Sequence, residues 1–473
     1  MRQSHDYGKL FDNSINLKRL FFEDLDVEKE FYLGPIAAAG ENLYVTWTEI
    51  NKKDGTVNSF LKKSSDRGHT FDANTVAFVN VEIADVKAIK NSVFVVATSS
   101  IVDHNVLFFT SRDNGALFEN RQDLTLNSKL VEGNIEMTVS DDDVYITSQG
   151  TYWAKQYGGA IFRHSNNSGN SFSEPVNLSG NATVSIVKLA HDEKNLYVIW
   201  AQHGGSDGDR IYLRKSTSNG ESFDEPVRLS SAKSSYFPKI AVNDKGKVFV
   251  MWAQADAAGL YGEIILAKNS DWGNTFGAPV KLATSKYDLF GTYIETQPNN
   301  LLYVIFLDSV YTPNSRNAVY FITSINDGES FEKPVDLNQD GSFGIVNPRF
   351  AQFQNHIYIV GDTGSQYDSS IFFITSDDLG ETFNRSINLD DSQNTEKPID
   401  FKETKLENNT TTNHVNFQSL QASQSKCTTS NLGVLEACSM QSFLFLGIFT
   451  SAVVGTVIVI STITLRRSTQ NDL

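Results

Sequence analysis

Four residues fall at matching points of a repeated strand pattern: Glu136, Lys188, Lys239 and Arg349, with Lys87 near them. Cations converging on one axis repel unless an anion or carboxylates neutralise them. The chemistry that suits such a ring is capture of a carboxylate-bearing ligand. The alternative is that these side chains pair with Glu136 and Glu295, or simply face water. Segments following the second strand of each repeat carry Tyr152, Trp153, Tyr157, His203, Asp207, Asp209, Asp256, Tyr261, Asp308, Tyr311, Arg316, Asp362 and Tyr367. Aromatic rings beside carboxylates suit sugar binding, although ordinary loop composition gives the same list. No metal-ligand cluster, serine nucleophile elbow or phosphate loop is present, so neither a metal nor another cofactor is expected.

Any such ring needs elements that repeat. The repeat is Ser376-Asp377-Asp378-Leu379-Gly380-Glu381-Thr382-Phe383, matched by Ser64-x-Asp66-x-Gly68-x-Thr70-Phe71 and Asn269-x-Asp271-x-Gly273-x-Thr275-Phe276. Looser copies end at Phe118, Phe172, Phe223 and Phe331, and another opens the chain as Ser4-x-Asp6-x-Gly8-x-Leu10-Phe11. Successive phenylalanines lie 60, 47, 54, 51, 53, 55 and 52 residues apart. A period near fifty residues signals a repeat architecture.

Gly and Phe hold in all eight copies. The third position is Asp6, Asp66, Asp113, Asn167, Ser218, Asp271, Asn326 or Asp378. These residue types hydrogen-bond nearby backbone N–H groups and build turns. The glycine marks a backbone angle that a Cβ would penalise. The motif therefore reads as a hairpin turn with an apolar plug. Calcium binding is the rival reading, but the bidentate Glu spacing of an EF-hand loop is missing.

The S-x-D-x-G-x-T-F pattern resembles the Asp-box, or bacterial neuraminidase repeat, of sialidases and related β-propellers, over residues 4–389. The resemblance implies a box joining the third and fourth strands of each blade, on the face away from the ligand. It also implies a site where first strands line a central channel under the loops between strands two and three. Sialidases of this family use three arginines on the substrate carboxylate, an Arg-Ile-Pro motif, a Tyr nucleophile backed by Glu, and an Asp acid. Here no Arg-Ile-Pro occurs; its nearest echoes are Pro348-Arg349 and Pro238-Lys239. Only one first-strand arginine is found, and lysine lacks the bidentate fork.

Each interval follows one plan. In the clearest, Val184–Ala190, Leu196–Trp200 and Arg210–Arg214 are three strands, the box follows, and Pro226-Val227-Arg228-Leu229 is an outer fourth. Second strands such as Val248-Phe249-Val250-Met251-Trp252 are β-branched and aromatic, as buried central strands are. Four strands per unit and no helical period predict an all-β, seven-bladed β-propeller of four-stranded antiparallel blades. Because the chain opens inside a repeat, strands or a signal peptide are expected upstream, and eight blades with a truncated first is the alternative.

The expected domains are a propeller over 1–389, a polar stalk over 390–442, a transmembrane helix over 443–465 and a short tail over 466–473. The segment Phe443–Leu465 has 23 uncharged residues, about 34 Å as a helix. Arg466-Arg467 then predict a cytoplasmic C-terminus and an outside propeller on a single-pass cell-membrane protein. A tail-anchored chain with a cytosolic propeller is the rival, opposed by the acceptor triplets at Asn177, Asn181, Asn384 and Asn408. The only cysteines, Cys427 and Cys438, lie outside the repeats. Net charge of −16 argues against nucleic acid as a partner. The expected function is binding of a glycan or cell-surface protein without catalysis, with a sialidase-like hydrolase or a structural spacer as alternatives.

Overall fold

The computed structural model describes residues 29–388, apart from short segments at 67–70, 100–104, 126–129, 153–157, 193–194, 206–207, 232–233, 257–260, 270, 310–317, 338–345, 354–355, 363–370 and 385–386. The chain divides into two compact units, residues 1–416 and 417–473. The opening repeat with Asp6, the stalk, the apolar segment 443–465 and both cysteines lie outside the described residues. Among the described residues no helix is long and apolar enough to cross a membrane.

The described residues form seven four-stranded antiparallel sheets, each with its strands in chain order. The sheets span residues 29–79, 81–123, 130–177, 184–228, 235–285, 288–336 and 346–388. First strands of consecutive sheets pack side by side. Repeated up-and-down sheets whose first strands are neighbours make a β-propeller.

The expected second strands are the buried ones. Leu196–Ala201 and Val248–Ala253 are buried at every residue. Apolar clusters form between adjacent sheets. Tyr145, Phe162 and Leu178 of the third sheet meet Val187, Leu189, Val198 and Trp200 of the fourth. Phe249, Met251 and Leu266 of the fifth meet Leu289, Val304 and Phe306 of the sixth. A residue on either face of a central strand is therefore interior, which erases the alternation expected of a half-exposed strand. The outer strand of the fourth sheet is shorter than predicted, Val227–Arg228 alone. Pro226 stands just before it, where a missing N–H costs no ladder bond.

The repeated turn has one geometry. Ser111 Oγ donates to Asp113 Oδ1 at 2.7 Å and accepts from the Gly115 N–H at 2.8 Å, while Asp113 Oδ1 accepts from the Leu117 N–H at 3.0 Å. The same three bonds recur through Ser376, Asp378, Gly380 and Thr382. Asn167 and Asn326 substitute through their side-chain carbonyls, and Ser218 through its hydroxyl. Asn269 and Asp271 build the equivalent turn with an amide in place of the serine. Ser64 Oγ donates to Asp66 at 2.7 Å in the first sheet.

The sequence pointed to the glycine but not to what it meets. Gly220 has φ +87°, and a Cβ there would lie 2.6 Å from the Phe162 ring of the preceding sheet. Equivalent rings stand against the other turns: Tyr44 at Gly115, Phe108 at Gly169, Tyr197 at Gly273, Phe249 at Gly328 and Phe321 at Gly380. The phenylalanine ending each motif closes on the same preceding sheet. Phe172 meets Phe108 edge-on at 4.7 Å, Phe223 meets Phe162 at 4.9 Å and Phe383 meets Phe321 at 4.9 Å. The apolar plug is thus a joint between sheets.

Polar ties accompany it. Arg112 donates to Asn170 at 2.6 Å, and Lys215 donates to Asn274 at 3.2 Å. Lys247 and Lys268 both hold Glu329 at 2.8 Å. Those two lysine hydrogen bonds, Lys247 first, pull the Glu329 carboxyl down to about 2.

Two outcomes follow. Gly220→Ala meets both a left-handed φ and an aromatic ring, and should destabilise by about 2–4 kcal/mol. Gly180→Ala, with φ +63° and no atom within 4 Å of its Cβ, should cost about 1 kcal/mol. Denaturant midpoints of the two variants check the difference. For Glu329, a folded pKa below the ordinary value means its contribution is full above pH 4.5 and fades as pH falls toward 2. The midpoint gap between wild type and Glu329→Gln should be open at about pH 6 and close on acidification.

Candidate functional site

Each first strand carries a register shift against its second strand, at Leu33/Ile36, Ile83/Asp85, Thr147/Gln149, Ser185/Val187, Tyr236/Lys239, Gly291/Tyr293 and Val346/Arg349. Bulges bend a strand and re-aim its side chains. Asn134, Ile186 and Phe237 take left-handed angles of 47°, 50° and 55° there. For β-branched Ile186 that conformation is uncommon.

Counting from these shifts gives a ring of equivalent positions. Asp85 pairs with Val96, Glu136 with Thr147, Lys188 with Ile199, Lys239 with Met251, Tyr293 with Ile305 and Arg349 with Val360. Each partner is the fourth residue of its sheet's aligned second-strand run. The four candidates Glu136, Lys188, Lys239 and Arg349 therefore share one level. Asp85 takes the place in the second sheet where the sequence pointed to Lys87, and Tyr293 fills the sixth. In the first sheet the level is Gly34-Pro35, with the Pro35 carbonyl accepting from Thr46 at 2.6 Å. The signal for Asp85 and Tyr293 was the second-strand alignment.

The acids of the ring tie one sheet to the next. Asp85 Oδ2 accepts the Met137 N–H at 3.0 Å, and its Oδ1 takes Lys87 at 2.9 Å. Glu136 repeats the device one sheet on, accepting the Leu189 N–H at 3.1 Å and Lys188 at 3.3 Å. Burial pushes the Asp85 carboxyl up, against the pull of Lys87. Lys188 and Glu136 each keep about 30% exposure, 28% and 30%, so they border open space. Tyr293 donates its hydroxyl to Glu295, which also accepts from Gln297 at 2.5 Å. Burial and the Glu295 charge push the phenol far up, and burial raises the Glu295 carboxyl.

Other predicted residues are placed less fully. Arg349 is fixed by its backbone register, and Tyr152 ends its strand opposite Leu130. The side chains of both lie outside the described residues, as does all of Trp153. Of the covering loops, His203 pairs with Asp209 at 2.7 Å, and Asp308 accepts from Ser285 at 2.9 Å. Asp308 is buried, which raises its carboxyl.

Two features had no sequence signal. Arg163 and Glu132 form a bidentate pair at 2.6 and 2.7 Å, with side-chain exposures of 1% and 0%. Ser148 donates to the same carboxylate at 2.5 Å. A groove of about 310 Å³ on the turn face is lined by Asp143, His164, Asn166, Ser218, Asn219 and Glu221. Up-and-down strands put it at the opposite ends from the loops between strands two and three, so it is not part of the ring. No group of His, Cys, Asp and Glu that could hold a metal occurs among the described residues.

No family model matches the chain, and no curated protein matches it. Solved structures similar to it have several activities. An ulvan lyase of polysaccharide lyase family PL25, bound to an oligosaccharide, is 10% identical over 72% of this chain and 91% of its own, with TM-score 0.46. A Hadza microbial sialidase is 11% identical over 67% and 74%, with TM-score 0.38. The GH93 α-L-arabinofuranosidase of Fusarium graminearum with arabinobiose is 10% identical over 57% and 84%, with TM-score 0.37. The propeller assignment stands on the strand order itself.

Removing Asp85 should strand the buried Met137 N–H. Asp85→Ala is expected to cost about 1–3 kcal/mol, and Lys87→Ala, on a half-exposed cation, less than about 1 kcal/mol. Equilibrium unfolding of the pair measures the order.

Proposed function

We propose that the chain is a sialidase-like β-propeller of seven blades whose channel binds an acidic glycan, free or on a cell-surface protein, without cleaving it. The observation that carries this is the ring of level inner-strand residues. Asp85 and Glu136 stand on one side, and Lys188, Lys239 and Arg349 supply positive charge on consecutive or nearby blades. A sugar carboxylate or sulfate suits that arc, because charge-assisted hydrogen bonds to a planar anion are strong. The turns at Asp66, Asp113, Asn167, Ser218, Asp271, Asn326 and Asp378 are read as Asp-boxes on their shared hydrogen bonding. The segment 443–465 is read as the membrane anchor that holds the propeller outside the cell.

The non-catalytic reading rests on how the acids are used. Asp85 and Glu136 each hold a lysine and a backbone N–H of the next sheet. The Tyr293 phenol keeps its proton firmly, the reverse of what an activated nucleophile needs. The hydrogen bond from Tyr293 to Glu295 favours a second reading, a glycosidase.

Hydrolysis of a fluorogenic sialoside panel and binding to a glycan array, both with the full chain, separate the readings. Binding to acidic glycans without turnover is expected, weakened about tenfold or more in Arg349→Ala, or ~1.4 kcal/mol. Turnover abolished by Tyr293→Phe would establish the glycosidase. Neither binding nor turnover would leave a structural spacer.

A further inference from the structure

We infer that Asn181 is an N-glycan acceptor, and that Asn177 and Asn384, which head the same kind of triplet, are not. The inference rests on the reading that places the propeller outside the cell. In N-linked transfer the Asn Nδ2 bonds to the anomeric carbon of an oligosaccharide carried on a lipid pyrophosphate. The bond from that carbon to the phosphate oxygen breaks, the lipid pyrophosphate departs, and Nδ2 loses one proton. The product is a bulky surface group, so the folded chain must leave room at Nδ2.

Asn177 leaves none. Its Nδ2 donates to the Gly180 carbonyl at 2.7 Å, and its Oδ1 accepts the Ser179 N–H at 3.1 Å and hydroxyl at 3.2 Å. The Gly159 backbone lies against the other side of the amide, so close that a Cβ on it would sit 2.2 Å from Oδ1 and 2.5 Å from Nδ2. Ser179, the hydroxyl of that triplet, also accepts the Ala160 N–H at 3.0 Å. Leu178 between them is 1% exposed, and its N–H bonds to the Ala160 carbonyl at 2.8 Å. The Asn177 triplet is a hydrogen-bonded turn pressed against the Gly159 backbone.

Asn384 is likewise engaged. Its Nδ2 donates to Thr375 Oγ1 at 2.8 Å, and its backbone N–H to the Thr375 carbonyl at 2.7 Å.

Asn181 differs from both. Gly180, at φ +63°, turns the chain outward just before it. All three asparagines are exposed, but only the Asn181 side chain makes no hydrogen bond among the described residues. The far end of its triplet is fixed, since the Thr183 carbonyl accepts the His203 N–H at 2.9 Å. The position lies on the connection from the outer strand of the third sheet to the inner strand of the fourth. In an up-and-down sheet that connection sits at the same end as the loops between strands two and three. A glycan there would stand at the channel's rim, beside His203 and Asp209.

The test expresses the full chain behind a cleavable secretion leader in eukaryotic cells and maps glycan occupancy by peptide mass spectrometry. Asn181 should be occupied in most molecules, with Asn177 and Asn384 empty, and Thr183→Ala or Asn181→Gln should remove the glycan without opening Asn177. An empty Asn181, or a glycan on Asn177 or Asn384 in the folded product, overturns the assignment. Labelling of the protein in its native cells with a membrane-impermeant amine reagent tests the location alone. No labelling there, with Asn181 occupied behind the leader, overturns the outside location and supports the acceptor assignment.

Discussion

The propeller depends on a contact between a glycine and a ring belonging to the sheet before it. At Gly220 the turn approaches Phe162 so closely that one added carbon would collide. The phenylalanine three residues on, Phe223, then lies edge-on to the same ring at 4.9 Å. A turn of this kind has two jobs. Its Ser, Asp and Gly shape the local backbone, and its Gly and Phe seal an interface. Sheets that bury both faces need such seals at their ends, where strands stop and water would otherwise enter.

Charge serves the same joints. Asp85 and Glu136 are acids placed where a neighbouring strand presents an N–H and a lysine lies in reach. The lysine neutralises the carboxylate and the N–H satisfies one of its oxygens, which is what makes a partly buried acid tolerable. Glu132 and Arg163 go further inside. Their bidentate geometry and Ser148 supply the bonds that a dry interior demands of an ion pair. On the inner strands, acids and lysines are thus partly spent on architecture.

The repeat itself was plain in the sequence, because turn chemistry is local. Gly115, Gly169 and their equivalents answer to the angle at one residue, and the Ser and Asp answer to bonds within five residues. The level of Glu136, Lys188, Lys239 and Arg349 was also legible, since second strands align by their apolar runs. What the sequence left open was the register across each hairpin, which the turn between the strands sets, so Lys87 rather than Asp85 was drawn toward the ring and Tyr293 was left out. The rings facing the glycines were hidden for a different reason. Phe162 and Gly220 are far apart in the chain, and nothing local in either announces the other. Arg163, in a strand of ordinary appearance, gave no hint that Glu132 would meet it.

Every glycine–ring joint points backwards. The turn of the third sheet needs a ring from the second, that of the fourth needs one from the third, and so on to Gly380 against Phe321. A chain made from its N-terminus always presents a new turn to a surface already synthesised. Each repeated turn can close as it emerges, while the acids Asp85 and Glu136 wait for an N–H of the sheet that follows. The architecture is in this sense a ratchet, laid down in the direction of synthesis.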